Sequence, residues 1–220
     1  MHHSIHNLIQ IQKQIKLKII ETGSKIETPN IIAVSKTFPI SDIIPLIDNG
    51  HIHFGENKIQ DAMDKWPELK IKNKNIKLHL IGRLQTNKTK LAVKIFDYIH
   101  SLDSEKLANK IADEQIKQKK NIKIFIQINI GNEDQKSGIN RDNIFQFYKY
   151  CKNLNLDIIG VMCTPPKDNG AINYFLEMNK INRELNLLEL SMGMSEDFLE
   201  AVKNNATFLR IGSKIFGQRF

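Results

Sequence analysis

Six residues of this chain have the types and spacing for carbonyl and phosphate chemistry: Lys36 near its start, and Ser191, Ser195, Arg210, Gly212 and Ser213 near its end. Lys36 closes the apolar, β-branched run Ile31-Ile32-Ala33-Val34-Ser35, and Phe38-Pro39 stops the run behind it. Such a run reads as a buried parallel strand with the lysine at its C-terminal mouth. A desolvated ammonium loses its preference for the charged form, and the neutral amine attacks an aldehyde to give a Schiff base. The plain alternative is a lysine that caps a strand in water.

The distal group reads as an anion site with a buried cation beside it. In Leu190-Ser191-Met192-Gly193-Met194-Ser195, Gly193 lets the backbone approach a ligand, and Ser195 stands where a helix N-cap belongs. Gly212-Ser213 repeats the arrangement one strand later. Ordinary capping is the alternative for each serine. Arg210 points inward if Leu209 points outward, and a buried guanidinium needs an acceptor because it cannot shed its charge. A heterocyclic nitrogen would serve. An aldehyde-capturing lysine, a phosphate cradle and an arginine aimed at a ring nitrogen together describe a site for pyridoxal 5′-phosphate, PLP.

The elements that must position these residues alternate in type. Apolar residues at helical spacing from Ser4 to Thr22 predict an amphipathic first helix, stopped by Gly23. Strands then follow at 31–36, 51–57, 78–81, 98–102, 122–130, 157–162, 187–191 and 208–211, each trailed by a helical segment. The helix after the second strand is expected to end or kink at Pro67, and a helix is expected from Ser195 to Asn204. Strict alternation implies an all-parallel sheet, and eight units favour a closed (β/α)8 TIM barrel with an extra N-terminal helix, a single domain over 1–220. Every strand tip then opens on one face. Lys36, Asn57, the stretch from His79 to Gln85, Met162, Ser191 and Arg210 should surround one cavity.

Composition excludes several classes. The net charge is +8, but the lysines are scattered and form no basic arm interleaved with aromatics, so no nucleic-acid partner is expected. Two cysteines, Cys151 and Cys163, without metal-ligand spacing argue against a zinc site or a disulfide framework. No apolar stretch has a signal peptide's pattern or the roughly 18 residues of a membrane span. A cytoplasmic protein with no membrane partner is expected. No apolar dimer patch stands out, which favours a monomer. Four histidines, His51, His53, His79 and His100, fall on strands or strand ends, where structural hydrogen bonding is their expected role. Glu56 reads as a partner for Arg83 or Lys88 at the mouth, or as a helix-start acid.

Over nearly its whole length the sequence resembles the YggS/PROSC family of PLP homeostasis proteins. The resemblance rests on Ala33-Val34-Ser35-Lys36-Thr37, Phe54-Gly55-Glu56-Asn57, the run from His79 to Lys88, Ile99-His100-Ser101-Leu102-Asp103, Lys136-Ser137-Gly138, Leu190 to Ser195, and Arg210-Ile211-Gly212-Ser213. It implies a fold-type III PLP barrel like the N-terminal domain of alanine racemase. In it Lys36 is the Schiff-base lysine, Asn57 lies beside the cofactor, and Ser191 and Ser195 belong to the phosphate loop. Gly212 and Ser213 hold the phosphate, and Arg210 faces the pyridine nitrogen. Ser213 replaces the usual threonine, and Cys163 the usual small residue; its thiol either fills core space or could add to the aldehyde.

An arginine at the ring nitrogen disfavours ring protonation and leaves the cofactor a weak electron sink. Alanine racemase adds a tyrosine base from a further β domain, and this sequence, ending at Phe220, shows no such segment. The expectation is a PLP carrier or regulator in vitamin B6 and amino-acid homeostasis, with no catalytic residues and with apo-PLP enzymes as recipients. The alternative is a PLP-dependent amino-acid racemase with His79, His53 or a thiol as second base.

Overall fold

A computed structural model describes residues 1–23, 27–133, 135–166 and 170–218; Phe220, the chain end weighed above, lies outside them. The chain begins with α1 (His3–Thr22) and continues β1 (Asn30–Val34), α2 (Ile40–Asp48), β2 (His53–Glu56), α3 (Ile59–Lys72) and β3 (Lys77–Leu80). Next come α4 (Thr89–Ile95), β4 (Tyr98–Leu102), α5 (Glu105–Gln118), β5 (Lys123–Ile128) and α6 (Ile144–Asn153). The last part is β6 (Asp157–Cys163), α7 (Ala171–Glu184), β7 (Glu189–Ser191), α8 (Phe198–Lys203), β8 (Phe208–Ile211) and α9 (Ser213–Phe216). Each strand pairs in parallel with the next, and β8 pairs with β1, so the sheet is a closed (β/α)8 barrel preceded by an extra helix.

Two cores follow from the period-two alternation of the strands. Ile31, Ala33, Phe54, Leu78, Leu80, Leu190, Leu209 and Ile211 face outward and pack with the apolar stripes of the helices. Ile32, Tyr98, Phe125, Met162 and Phe208 fill the barrel interior. By the same parity His53, His79, His100, Ser191 and Arg210 also point inward, so the interior is aromatic and polar as well as aliphatic.

The helices follow their sequence signals with two corrections. α1 buries Leu8, Ile11 and Ile15 and ends at Gly23, whose φ of 62° suits glycine. α3 does not stop at Pro67 but runs on to Lys72. Trp66, fully buried, anchors one side of the proline, and beyond it Lys70 Nζ binds the Ile95 carbonyl at 2.8 Å and Asp97 Oδ2 at 2.6 Å. These tertiary contacts work against the roughly 3 kcal/mol that a mid-helix proline costs. α8 begins at Phe198 and not at Ser195. The Met194 amide is taken by Asp197 Oδ1 at 2.6 Å, which leaves Ser195 in a turn ahead of the helix.

Candidate cofactor site

The site is built on the end of β1. Past Val34, the Ser35 amide donates to the Gly55 carbonyl at 3.0 Å, and the Phe38 amide closes a turn onto the Ser35 carbonyl at 3.2 Å. Lys36 and Thr37 form the corner of that turn. Thr37 has φ 68°, a left-handed backbone that a β-branched residue seldom adopts, so strain is stored beside the lysine. A buried network holds the turn from below. Glu56 Oε1 accepts from Ser35 Oγ at 2.8 Å, Lys65 Nζ at 2.6 Å and Trp66 Nε1 at 3.1 Å, while Lys65 also donates to the Ser35 carbonyl at 2.9 Å. Glu56 therefore faces the helix layer through strand parity and pairs with Lys65; neither Arg83 nor Lys88 is its partner.

Lys36 borders a cavity of about 750 Å³ at the C-terminal end of the barrel. Asn57, Ser195, Arg210, Gly212 and Ser213 share its wall, with Val34, Ile81, Thr164 and Met194 among the other lining residues. Six of the seven expected site residues thus meet around one space of a size usual for a small ligand. Ser195 Oγ and Ser213 Oγ lie 3.0 Å apart and form a hydroxyl pair where two loops converge. Asn57 Oδ1 is buried and has no hydrogen-bond partner among the described residues, which leaves an acceptor at the wall. The hydroxyl pair, the amine, the orphaned acceptor and the guanidinium fit the phosphate, aldehyde and ring edges of PLP.

Ser191 stands apart from that wall. It is fully buried inside the barrel, accepts from Arg210 Nη1 at 2.8 Å and lies 2.9 Å from His100 Nδ1. Strand parity puts Ser191 under Arg210 at the end of β7, four residues before Ser195, so the structure separates it from the hydroxyl pair. Gly193 also differs from expectation. Its φ is 88°, and a Cβ there would meet Ala201 Cβ at 2.5 Å, so glycine is required by the packing of α8 on β8. The Cys163 side chain belongs to the helix-side core, and burial pushes its thiol up to about 12. Of the two readings of this residue, the core filler fits; only its carbonyl serves the site, accepting Arg210 Nη2 at 2.7 Å.

Arg210 is 5% exposed, and burial lowers its pKa from the usual guanidinium value. No acid pairs with it among the described residues. Below it runs a feature that residue-by-residue reading missed. His100 Nε2 is 2.9 Å from His79 Nδ1, and His79 Nε2 is 2.9 Å from His53 Nδ1. His79 stacks on Tyr98 and His100 on Phe125, each with ring centres 4.2 Å apart. Burial holds the pKa values of His79 and His100 well below the usual imidazole range and takes those of His53 and His51 down to about 4. The signal was available. His53, His79 and His100 sit at inward positions of three consecutive strands.

Residues 13–219 match the family model described as alanine racemase, N-terminal domain. The pyridoxal phosphate homeostasis protein of Haemophilus influenzae is 35% identical over 97% of this chain and 95% of its own. That of Escherichia coli K12 is 32% identical over 100% and 98%. The structure of PipY from Synechococcus elongatus with PLP bound superposes with a TM-score of 0.80 at 31% identity, covering 92% of this chain and 100% of that one. Alanine racemase of Clostridium difficile, at 12% identity and a TM-score of 0.69, shares the fold over 94% of this chain and 57% of its own. Among the described residues no helix is long and apolar enough to cross a membrane. The chain belongs to the alanine racemase N-terminal domain family and, within it, to the pyridoxal phosphate homeostasis proteins.

Proposed function

We propose that this chain is a single PLP-binding barrel domain that holds the cofactor as a Schiff base on Lys36 and serves PLP and amino-acid homeostasis without efficient turnover. One observation carries the reading: the Lys36 side chain, the Ser195–Ser213 hydroxyl pair and Arg210 border the same cavity. The names of the relatives and the PLP-bound PipY structure support it.

PLP brings an aldehyde that condenses with a primary amine, releasing water, and a ring that can store electrons. The chain supplies the rest. Ser195 and Ser213 would offer hydroxyls to the phosphate, with Gly212 and the first amides of α9 beside them. Arg210 would donate toward the ring nitrogen and disfavour its protonation, which would weaken the ring as an electron store. Asn57 Oδ1 would offer an acceptor at the cofactor edge.

The racemase alternative asks for a second base facing the cavity. His79 has both ring nitrogens engaged beneath Arg210, His53 lies one link further from the cavity, and the Cys163 thiol lies in the helix-side core. None of the three borders the cavity, which favours the carrier. On this reading the protein works in the cytoplasm as a monomer, without nucleic acid or membrane, and releases PLP to apo-PLP enzymes. The ultraviolet–visible spectrum of purified protein with PLP tests it: an imine band is expected, and a band unchanged in Lys36→Ala would defeat the assignment. Deuterium uptake at an amino acid's Cα far above the rate with free PLP would instead establish the racemase.

A further inference from the structure

Four side chains from β2, β3, β4 and β7 form one hydrogen-bonded string, from partly buried His53 through His79 and His100 to Ser191, and Arg210 closes it. A neutral imidazole carries a single N–H, so the donor chosen at any one link fixes all the others. Burial keeps these rings neutral at physiological pH. Two polarities exist. In one, Ser191 O–H donates to His100 Nδ1, and every ring carries its proton on Nε2, pointing away from Arg210. In the other, every proton sits on Nδ1 and points toward Arg210, and Ser191 must accept twice.

The guanidinium decides between them. It is buried and forms no ion pair among the described residues, Asp197 acting only from beyond ion-pair distance, so the negative ends of neighbouring dipoles are its nearest compensation. The polarity with Nε2–H throughout turns three N–H dipoles and one O–H dipole away from the cation. The other titratable groups about the string do not reverse this order. His51 meets the His53 carbonyl, Tyr98 stacks on His79, and Lys77, Lys70 and Lys123 lie toward the opposite end of the barrel from the cavity.

We infer that His53, His79 and His100 are positioning residues: a proton-ordered string in the Nε2–H tautomer that commits the Ser191 proton away from Arg210 and fixes the guanidinium beneath the cavity. Ser191 oxygen is then purely an acceptor for Arg210. The proton order stands on the geometry of the protein alone; its bearing on the ring nitrogen of PLP rests on the function proposed above.

A long-range proton–nitrogen spectrum of protein labelled with 15N-histidine, recorded without PLP, tests the order. The two rings shielded from solvent, His79 and His100, are expected as Nε2–H tautomers; an Nδ1–H tautomer at either overturns the inference, and this measurement needs no variant. Arg210→Gln is expected to let the tautomers mix, whereas purely structural histidines would be unmoved. PLP affinity, titrated by absorbance, should fall about tenfold in His100→Phe, the effect of one lost buried hydrogen bond behind Ser191, and stay unchanged in His51→Asn. Equal affinities in wild type and His100→Phe count against the positioning role. An ordered string in a protein that binds no PLP would defeat the cofactor reading and leave the order standing, and PLP binding with mixed tautomers would do the reverse.

Discussion

Glu56 and Arg210 are both buried charges, and the chain treats them in opposite ways. Glu56 lies on the helix side of β2 and receives a full cation from Lys65, with Ser35 and Trp66 donating to the same oxygen. Arg210 lies on the inner side of β8 and receives a hydroxyl and a carbonyl, with a neutral imidazole string behind them. A charge matched by its counter-ion is a structural fastening, here for the turn that carries Lys36. A charge left to dipoles, beside a cavity, keeps its capacity for a ligand. The contrast separates support from site among residues that look equally polar in the sequence.

The largest expected effect removes the amine: Lys36→Ala should abolish the PLP imine absorbance while leaving the far-ultraviolet circular dichroism unchanged. Next, urea unfolding should show Glu56→Ala losing about 3 kcal/mol, because it strands the half-buried Lys65 ammonium and leaves the buried donors Ser35 Oγ and Trp66 Nε1 unpaired. Arg210→Gln should lose only about 1–3 kcal/mol, the cost of unpaired neutral acceptors. Equal losses would break the contrast. Acid sharpens it from another side. His51 and His53 titrate at about 4 in the fold against 6.5 for an ordinary imidazole, so below pH 6.5 the unfolded chain binds more protons. Stability should therefore fall as pH drops from about 6.5 to about 4, by on the order of 3 kcal/mol for each of the two rings, read by urea midpoints across that range.

Smaller effects belong to the cavity wall. Ser195→Ala and Ser213→Ala should each weaken PLP binding about tenfold, and the double variant by less than the product, because both hydroxyls serve one anion. Equilibrium dialysis reads this directly. Thr37→Gly should raise stability by about 1 kcal/mol in the same urea assay, since it relieves a left-handed backbone.

Much of this was legible beforehand. The alternation of apolar runs and amphipathic stretches gave eight parallel strands, and the last two loops gave Ser195, Gly212 and Ser213 as neighbours of Lys36. What escaped depended on contacts between distant residues. Whether Pro67 ends a helix is decided by Lys70 reaching Asp97. That Ser191 belongs under Arg210 follows from its parity on β7, which proximity to Ser195 in sequence obscured. The string from His53 to Ser191 joins four strands, and each of its histidines taken alone reads as an ordinary structural imidazole.

The packing of α1 carries a consequence for how the protein is made. Asn7 Nδ2 donates to the Ile215 carbonyl at 3.0 Å across 208 positions of chain, and β1 pairs with β8. Lys36 therefore leaves the ribosome well ahead of Arg210 and Ser213, its neighbours around the cavity. Lys36 meets Ser195 and Ser213 only at barrel closure. On the function proposed above, cofactor retention would report that the first and last units of the barrel have joined.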